Sequence, residues 1–200
     1  MTSQRDSFIS RLFDIAVEDK DVYLISVDMG APSLDRWRSE LPDQFIAAGI
    51  SEQNAINLAA GMSAAGKKVF VYFMASWVAR CFEQIRYSCA MAKNPITILG
   101  NGVGLGYAPA GPAHEPTEDI AYMRSLCGIE IYSPANSAMA TELAHLCCDE
   151  PKLRYIRLER KYDAKLDSLY SDFGPSQYFL KQGVSIIFPG LAEPPHNNTK

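Results

Sequence analysis

Short apolar runs recur along the chain and alternate with segments of helical periodicity. The runs have the length of buried strands and lie at residues 22–27, 69–73, 96–99, 129–132 and 154–158. Strands that alternate with helices indicate a parallel sheet with helices packed on both faces. The pattern therefore predicts an α/β fold built on a doubly wound, mostly parallel sheet.

Helices are predicted between these strands. They cover residues 3–19, 34–40, 78–92, 116–126 and 135–148, and a further helix runs from Ser51 to a stop at Gly66. Ser51 is expected to be the N-cap of that helix, and glycine is the usual residue just past a helix end. Residues 45–49 are expected to lead into this helix from the sheet.

The composition argues against several classes of function. Hydrophobic residues make up 48% of the 200 residues and charged residues 21%, which is ordinary for a soluble globular protein. The net charge of −4 gives no basic field that would attract nucleic acid. No apolar run approaches the roughly 18 residues that span a membrane, and the first residues lack a signal-peptide core, so a cytoplasmic location is expected.

Cysteine and histidine usage argues against a metal centre in this chain. The five cysteines are odd in number and form no Cys-x-x-Cys pair, so we expect them to be small core residues in a reducing compartment. Only three histidines are present, which argues against a metal site built on histidine.

Polar and glycine-rich segments follow several of the predicted strands. They are Asp28, residues 75–77, the loop 100–115 and Ser133. Doubly wound sheets bind their ligands outside the carboxyl ends of the strands, so these segments should meet at one edge. Glu52 should reach the same edge if residues 45–49 come from the sheet.

Residues 49–54 read Gly-Ile-Ser-Glu-Gln-Asn, with Glu52 in the first turn of its predicted helix. A first-turn acid meets free backbone N–H groups and the positive end of the helix dipole, and it can stabilise a helix start without any other role. The neighbouring residues favour a functional interpretation. The segment resembles the Gly-Ile-Ala-Glu-Gln-Asn motif of transketolase-type thiamine diphosphate enzymes.

Two further segments extend this resemblance, which covers about residues 5–160. Residues 77–86 resemble the family stretch in which an aromatic ring stacks on the aminopyrimidine of the cofactor. Residues 111–121, Gly-Pro-Ala-His-Glu-Pro-Thr-Glu-Asp-Ile-Ala, resemble the transketolase Gly-Pro-Thr-His followed by Glu-Asp-Ile-Ala. The resemblance implies a pyrimidine-binding domain over residues 1–160, and then a connecting arm and the start of a truncated or absent C-terminal domain over 161–200.

The resemblance implies two catalytic residues. Glu52 matches the glutamate that hydrogen-bonds N1′ of the aminopyrimidine and favours its 4′-imino tautomer. His114 matches the histidine that faces the substrate hydroxyls, and a histidine suits proton transfer because its ordinary pKa lies near neutrality. A loop histidine bonded to the backbone is the alternative for His114.

The resemblance also implies the residues that line the cofactor pocket. Trp77 matches the stacking ring, and the pocket set is completed by Arg80, Phe73, Phe82 and Asp28. Phe73 and Phe82 are equally explained as core aromatics. Asp28 matches an acid near the thiazolium portion, but an aspartate before a Gly/Pro loop is also an ordinary turn former.

The glycine-rich segment 100–106 does not fit a dinucleotide-binding fingerprint. The third glycine of Gly-x-Gly-x-x-Gly would fall at Leu105 or Tyr107, and no helix is predicted to open directly after the segment. A mobile substrate loop is the better interpretation.

The cofactors implied by the resemblance are thiamine diphosphate and Mg²⁺. The family binds the diphosphate through Mg²⁺ held by a Gly-Asp-Gly motif, which is absent from these residues. We therefore expect no metal ligand in this chain, and a partner chain of the transketolase N-terminal type that holds the metal. Two such pairs about a two-fold axis would form a heterotetramer.

The function implied is that of a pyrimidine-binding subunit of a split transketolase-like enzyme, a transferase that moves a two-carbon ketol unit between sugar-type substrates. A subunit of an acyloin-forming or 2-oxoacid-processing enzyme and a non-catalytic regulatory subunit are the alternatives. Family groups that hold a substrate phosphate are replaced by Ala110 and Ser133, and a family histidine falls near Gly100 or Asn101. These departures predict that a sugar phosphate is not the preferred substrate.

Overall fold

The computed structural model describes residues 2–160, in which strands and helices alternate as the sequence predicts. The strands are β1 (Val22–Val27), β2 (Phe45–Gly49), β3 (Lys68–Met74), β4 (Ile96–Asn101), β5 (Glu130–Tyr132) and β6 (Arg154–Leu158). The predicted arm over 161–183 and the predicted strand over 184–188 lie outside the described residues.

In this part of the chain, six α-helices connect the strands. They are α1 (Gln4–Glu18), α2 (Ser33–Glu40), α3 (Glu52–Ala64), α4 (Phe82–Gln84), α5 (Asp119–Met123) and α6 (Ser137–Asp149). Short 3-10 turns lie at Pro42–Gln44, Ala75–Ala79, Ala108–Ala110 and Pro112–His114, and α4 continues as a π-helix over Ile85–Met91. Within residues 2–160, no helix has both the length and the apolar character needed to span a bilayer.

The six strands form one sheet in the order β2-β1-β3-β4-β6-β5. Every pairing is parallel, so the predicted mostly parallel sheet is entirely parallel in the described residues. The chain leaves β1 toward β2 and then returns to the other side of β1 for β3. The doubly wound prediction is therefore confirmed, and the carboxyl ends of all six strands share one edge.

Two apolar cores separate the helices into two layers. One core packs α1, α2 and α6 on one face of the sheet, with Trp37 and Phe70 among its fully buried members. The other packs α3, the π-helix and α5 on the opposite face, with Ile56 and Ile98 buried. Both faces of a parallel sheet must be covered in this way, because its strands are apolar on both sides.

Two predicted helices differ from those observed. The predicted helix 78–92 is divided into the 3-10 turn Ala75–Ala79, α4 and the π-helix, since apolar periodicity alone does not distinguish these types of turn. The predicted helix 116–126 is shortened to α5, because Asp119 turns its carboxylate toward β6, where Tyr155 binds it.

Two local expectations also need correction. Ser51 occupies the N-cap position of α3, but its hydroxyl donates to the carbonyl of Ala48 and does not cap the helix. Four of the five cysteines are buried as expected, whereas Cys127 is exposed.

A buried ion pair ties β5 to β6 near their amino ends. Arg154 is fully buried, and its Nε lies 2.7 Å from an oxygen of Glu130. Burial raises the pKa of Glu130, but hydrogen bonds from Lys152 and Arg154 outweigh this effect and leave the pKa below its ordinary value. A carboxyl whose pKa is lowered on folding contributes stability above its unfolded pKa and loses it as the pH falls through the folded pKa.

We expect Glu130→Gln to lower the free energy of unfolding at neutral pH by about 3 kcal/mol, because it leaves a buried guanidinium without its counter-charge. The difference from the wild-type chain should shrink as the pH falls below about 4, where Glu130 takes up a proton in both states. Denaturant titrations at several pH values measure both effects. Glu150→Gln is the matched control, since this acid is 58% exposed and should change stability little.

Candidate functional site

Polar side chains gather at the carboxyl edge of the sheet. Asp28 follows β1, Ser76 and Trp77 follow β3, Asn101 ends β4, and Arg160 follows β6. The parallel register brings these strand ends to one edge, so residues far apart in sequence become neighbours. The edge is therefore the candidate active site.

Glu52 is the first residue of α3 and is only 3% exposed. Its Oε2 lies 3.3 Å from Nη1 of Arg80, whose side chain is 57% exposed. The backbone N–H groups of the first turn and the positive end of the helix dipole also favour its carboxylate. Burial, and after it the charge of Glu52, raises the pKa of Cys81 to about 12, so this neighbouring thiol stays protonated.

Trp77 and His114 lie together, as the sequence predicts. Their ring centroids are 6.2 Å apart at an interplanar angle of 62°. Nδ1 of His114 is buried and has no hydrogen-bond partner in the described part of the chain. The ring of Tyr107 lies on another side of His114, at 6.3 Å between centroids. His114 is thus held between two aromatic rings with one nitrogen available for a ligand.

The other predicted pocket residues differ in their placement. Phe82 is half-buried and faces Tyr122, with 6.2 Å between ring centroids, beside the second core. Phe73 is fully buried within that core, which favours its interpretation as a core aromatic. Asp28 is exposed at the same edge, and its backbone N–H donates to the carbonyl of Gly49.

A cleft of about 170 Å³ opens between the turn after β3 and the loop before α5. Its lining is formed by Ala75, Ser76, Val78, Pro112, Ala113, Glu115, Pro116, Glu118, Asp119 and Tyr122. Oγ of Ser76 is buried there with no hydrogen-bond partner among the described residues.

Sequence reasoning missed several residues of this edge. Oδ1 of Asn101 and Nε of Arg160 are buried without a partner among residues 2–160, as is Oγ of Ser76. Buried polar atoms in folded proteins are nearly always paired, so such atoms gathered at one edge indicate a place for a polar ligand. The signal available from the sequence was their position directly after apolar strand runs.

Asp119 is the electrostatic centre of the cleft wall. It is 2% exposed, accepts from Nε of Arg157 at 2.7 Å, and accepts from the hydroxyl of Tyr155 at 2.8 Å. The Tyr155 ring fills the space beside Gly100, where a Cβ would lie 2.6 Å from it. Arg157 also reaches Ser133, at 3.4 Å. The acid thus links α5 to β4, β6 and the loop after β5.

These residues fit an aminopyrimidine ring. A buried acid on a helix N-terminus, a half-buried indole at the same edge and unpartnered polar atoms nearby match what such a ring offers, namely polar nitrogens and an aromatic face. Within residues 2–160, no group of three histidine, cysteine or acidic side chains is placed to hold a metal ion.

Comparison with known proteins adds a family and several relatives. The family model described as "Transketolase, pyrimidine binding domain" matches residues 3–162. One of the two subunits of the apulose-4-phosphate transketolase of Phocaeicola vulgatus is 36% identical over 162 residues, which are 80% of this chain and 52% of that protein. The 6-deoxy-6-sulfo-D-fructose transketolase subunit SqwH of a Clostridium species is 31% identical over 197 residues, covering 94% of this chain and 60% of that protein.

Solved structures show the same fold. A split-gene transketolase, described as an inactive beta4 tetramer, superimposes with a TM-score of 0.72 at 27% identity, over 81% of this chain and 52% of that chain. The transketolase of Campylobacter jejuni superimposes with a TM-score of 0.72 at 18% identity, over 80% of this chain and 26% of that chain. This chain spans about half to three-fifths of the curated relatives that it matches.

We expect Asp119→Ala to loosen the loop 111–118, because it removes the carboxylate that both Arg157 and Tyr155 bind. Losing a buried charge partner costs about 3–5 kcal/mol, so hydrogen exchange of that loop and of α5 should accelerate strongly. Glu118→Ala is the matched control, since Glu118 is the neighbouring acid but is exposed. Equal exchange in the two variants would contradict the role given to Asp119.

Proposed function

This chain belongs to the transketolase pyrimidine-binding domain family, and from that premise we propose that it is the pyrimidine-binding subunit of a split, thiamine-diphosphate-dependent transketolase-like enzyme. The reaction proposed is transfer of a two-carbon ketol unit between sugar-type substrates. The observation that supports it most directly is the placement of Glu52, a buried carboxylate in the first turn of α3 at the edge that also carries Trp77.

Thiamine diphosphate, when bound, supplies the nucleophilic carbon that cleaves and forms bonds beside a ketone. Glu52 would hold a proton at N1′ of the aminopyrimidine. Trp77 would orient that ring by stacking, and Phe82 and Tyr122 would help to exclude water from the cleft.

His114 is proposed to exchange protons with substrate hydroxyls. Its position between two aromatic rings fixes the imidazole, and its buried Nδ1 has no other partner among the described residues. A positioned histidine contributes to such transfers as a general acid or base. Arg80, exposed and paired with Glu52, is proposed to orient the carboxylate.

The diphosphate and its Mg²⁺ are proposed to be held by a partner chain. The relatives are named as subunits, and one solved relative is described as the product of a split gene. The edge also exposes two large apolar side chains, with Ile50 77% and Leu105 67% exposed. Large apolar residues beside a site are typical of a surface covered by another protein. We propose a heterotetramer in which the partner closes this edge.

The substrate is proposed to have an anionic end group, which revises the expectation of a phosphate-free sugar. Arg160 lies at the edge with its Nε buried and unpartnered in the described residues, so it can supply the charge that Ala110 and Ser133 do not. The two relatives are named for a sugar phosphate and a sulfo-sugar, and both are anionic at one end. Guanidinium groups suit such ends because they bind two oxygens at once.

Glu52→Gln should preserve the fold and reduce cofactor activation by about 10²–10⁴-fold, because the amide keeps the shape but cannot hold the proton in the same way. Exchange of the cofactor's C2 proton in the assembled complex, followed by NMR, measures the effect. The matched control is Asp35→Asn, an exposed acid in the first turn of α2. Wild-type exchange in Glu52→Gln would exclude the proposed role of Glu52.

The purified chain alone should bind thiamine diphosphate weakly, even with Mg²⁺, and should show no turnover, because the metal-binding half is expected in the partner. Adding the partner should restore both properties. Calorimetry and a coupled ketol-transfer assay on each chain alone and on the mixture measure this. Tight Mg²⁺-dependent binding with turnover by this chain alone would refute the split-enzyme proposal, and a bound but inactive complex would favour a regulatory subunit.

A further inference from the structure

Tyr107 lies on the loop after β4, in the part of the sequence expected to be a mobile substrate loop. The structure instead packs its ring into the edge of the sheet. The inference drawn from this ring rests on the proposed function, because it concerns which substrates the same site accepts.

Two neighbours seat the Tyr107 ring. Nδ2 of Asn101 donates to the Tyr107 hydroxyl at 2.9 Å, and Asn101 itself is fully buried. A Cβ at Gly102 would lie 2.2 Å from Cδ2 and Cε2 of the ring, so only glycine leaves room for it. Gly102 also has a φ of 74°, which favours glycine independently. The ring position is thus fixed from below and from its polar end.

The same ring contacts the two groups that face a substrate. The Arg160 guanidinium lies over the ring, with its Cζ 4.0 Å from the centroid. His114 lies beside it, at 6.3 Å between ring centroids. Arg160 and His114 each have a buried nitrogen without a partner among residues 2–160. Tyr107 therefore separates a cationic ligand for an anionic end group from an imidazole for hydroxyl groups.

We propose that Tyr107 is a specificity-determining residue that selects sugars with an anionic end group at a fixed distance from their hydroxyls. It acts by positioning Arg160 through the stack on its ring and by setting the spacing between Arg160 and His114. Displacement of the ring would release the guanidinium toward solvent, where it binds an anion less well. The hydroxyl bond to Asn101 holds the ring but is not itself a substrate contact.

The test measures the binding of D-ribose 5-phosphate, D-ribose and inorganic phosphate to the chain assembled with its partner, by calorimetry. Wild type should prefer the sugar phosphate to both other probes. Tyr107→Leu should reduce the preference for ribose 5-phosphate over ribose by about tenfold, since it removes a partly buried cation–π contact. Tyr107→Phe, which keeps the ring, should stay within about twofold of wild type.

A matched glycine pair tests the same ring without changing it. Gly102→Ala should reproduce Tyr107→Leu, because its Cβ displaces the ring. Gly104→Ala should not, although its φ of 56° imposes similar backbone strain, because nothing lies within 4 Å of its Cβ. In turnover with the sugar phosphate, Tyr107→Leu should raise KM about tenfold and leave kcat nearly unchanged.

The outcomes separate the two proposals. An unchanged preference in Tyr107→Leu, or equal wild-type affinity for ribose and ribose 5-phosphate, overturns the role of Tyr107. Tight binding of inorganic phosphate alone also overturns it, because the ring would then play no part in reading a sugar. A retained and Tyr107-dependent preference without any ketol transfer supports the specificity role and overturns the proposed reaction instead.

Discussion

Parallel strand pairing is the constraint on which the whole site depends. Each of the five pairings runs in one direction, so the last residues of β1, β3, β4 and β6 end side by side. Glu52 reaches the same place because β2 pairs with β1 and delivers the chain into α3 at that edge. No local motif could bring Glu52 to the edge that carries His114, and only the shared strand direction does so. The chemistry therefore follows from the topology.

The two ends of the sheet differ in how their polar groups are satisfied. At the amino end of β6, Arg154 is fully buried against Glu130 in a closed ion pair. At the carboxyl end, buried atoms of Asn101, His114 and Arg160 lack partners within residues 2–160. A protein tolerates such atoms where a ligand completes them, because an unpaired buried polar group costs free energy. The amino end thus stabilises the fold, whereas the carboxyl end is arranged for binding.

The sequence predicted the elements better than the contacts between them. Apolar runs of strand length identified the central strands, and the motif around Glu52 identified the acid and its helix. The periodicity of residues 78–92 did not reveal a π-helix, because the same apolar spacing fits several helical turns. Phe73 was grouped with the pocket from its neighbours, but the alternation of a strand directs its side chain into the core. Arg160 and Tyr107 were missed because their roles arise from a stack between a strand end and a distant loop.

The thiol beside the candidate acid has a chemical consequence. Cys81 is fully buried next to Glu52, and its pKa is about 12. The thiolate is the form that reacts with peroxides and alkylating agents, and at neutral pH about one molecule in 10⁵ would have it. The carboxylate that serves the cofactor thus also suppresses ionisation of its cysteine neighbour. An edge built in this way would keep its catalytic acid intact under oxidative stress, while any damage would begin at the exposed Cys127.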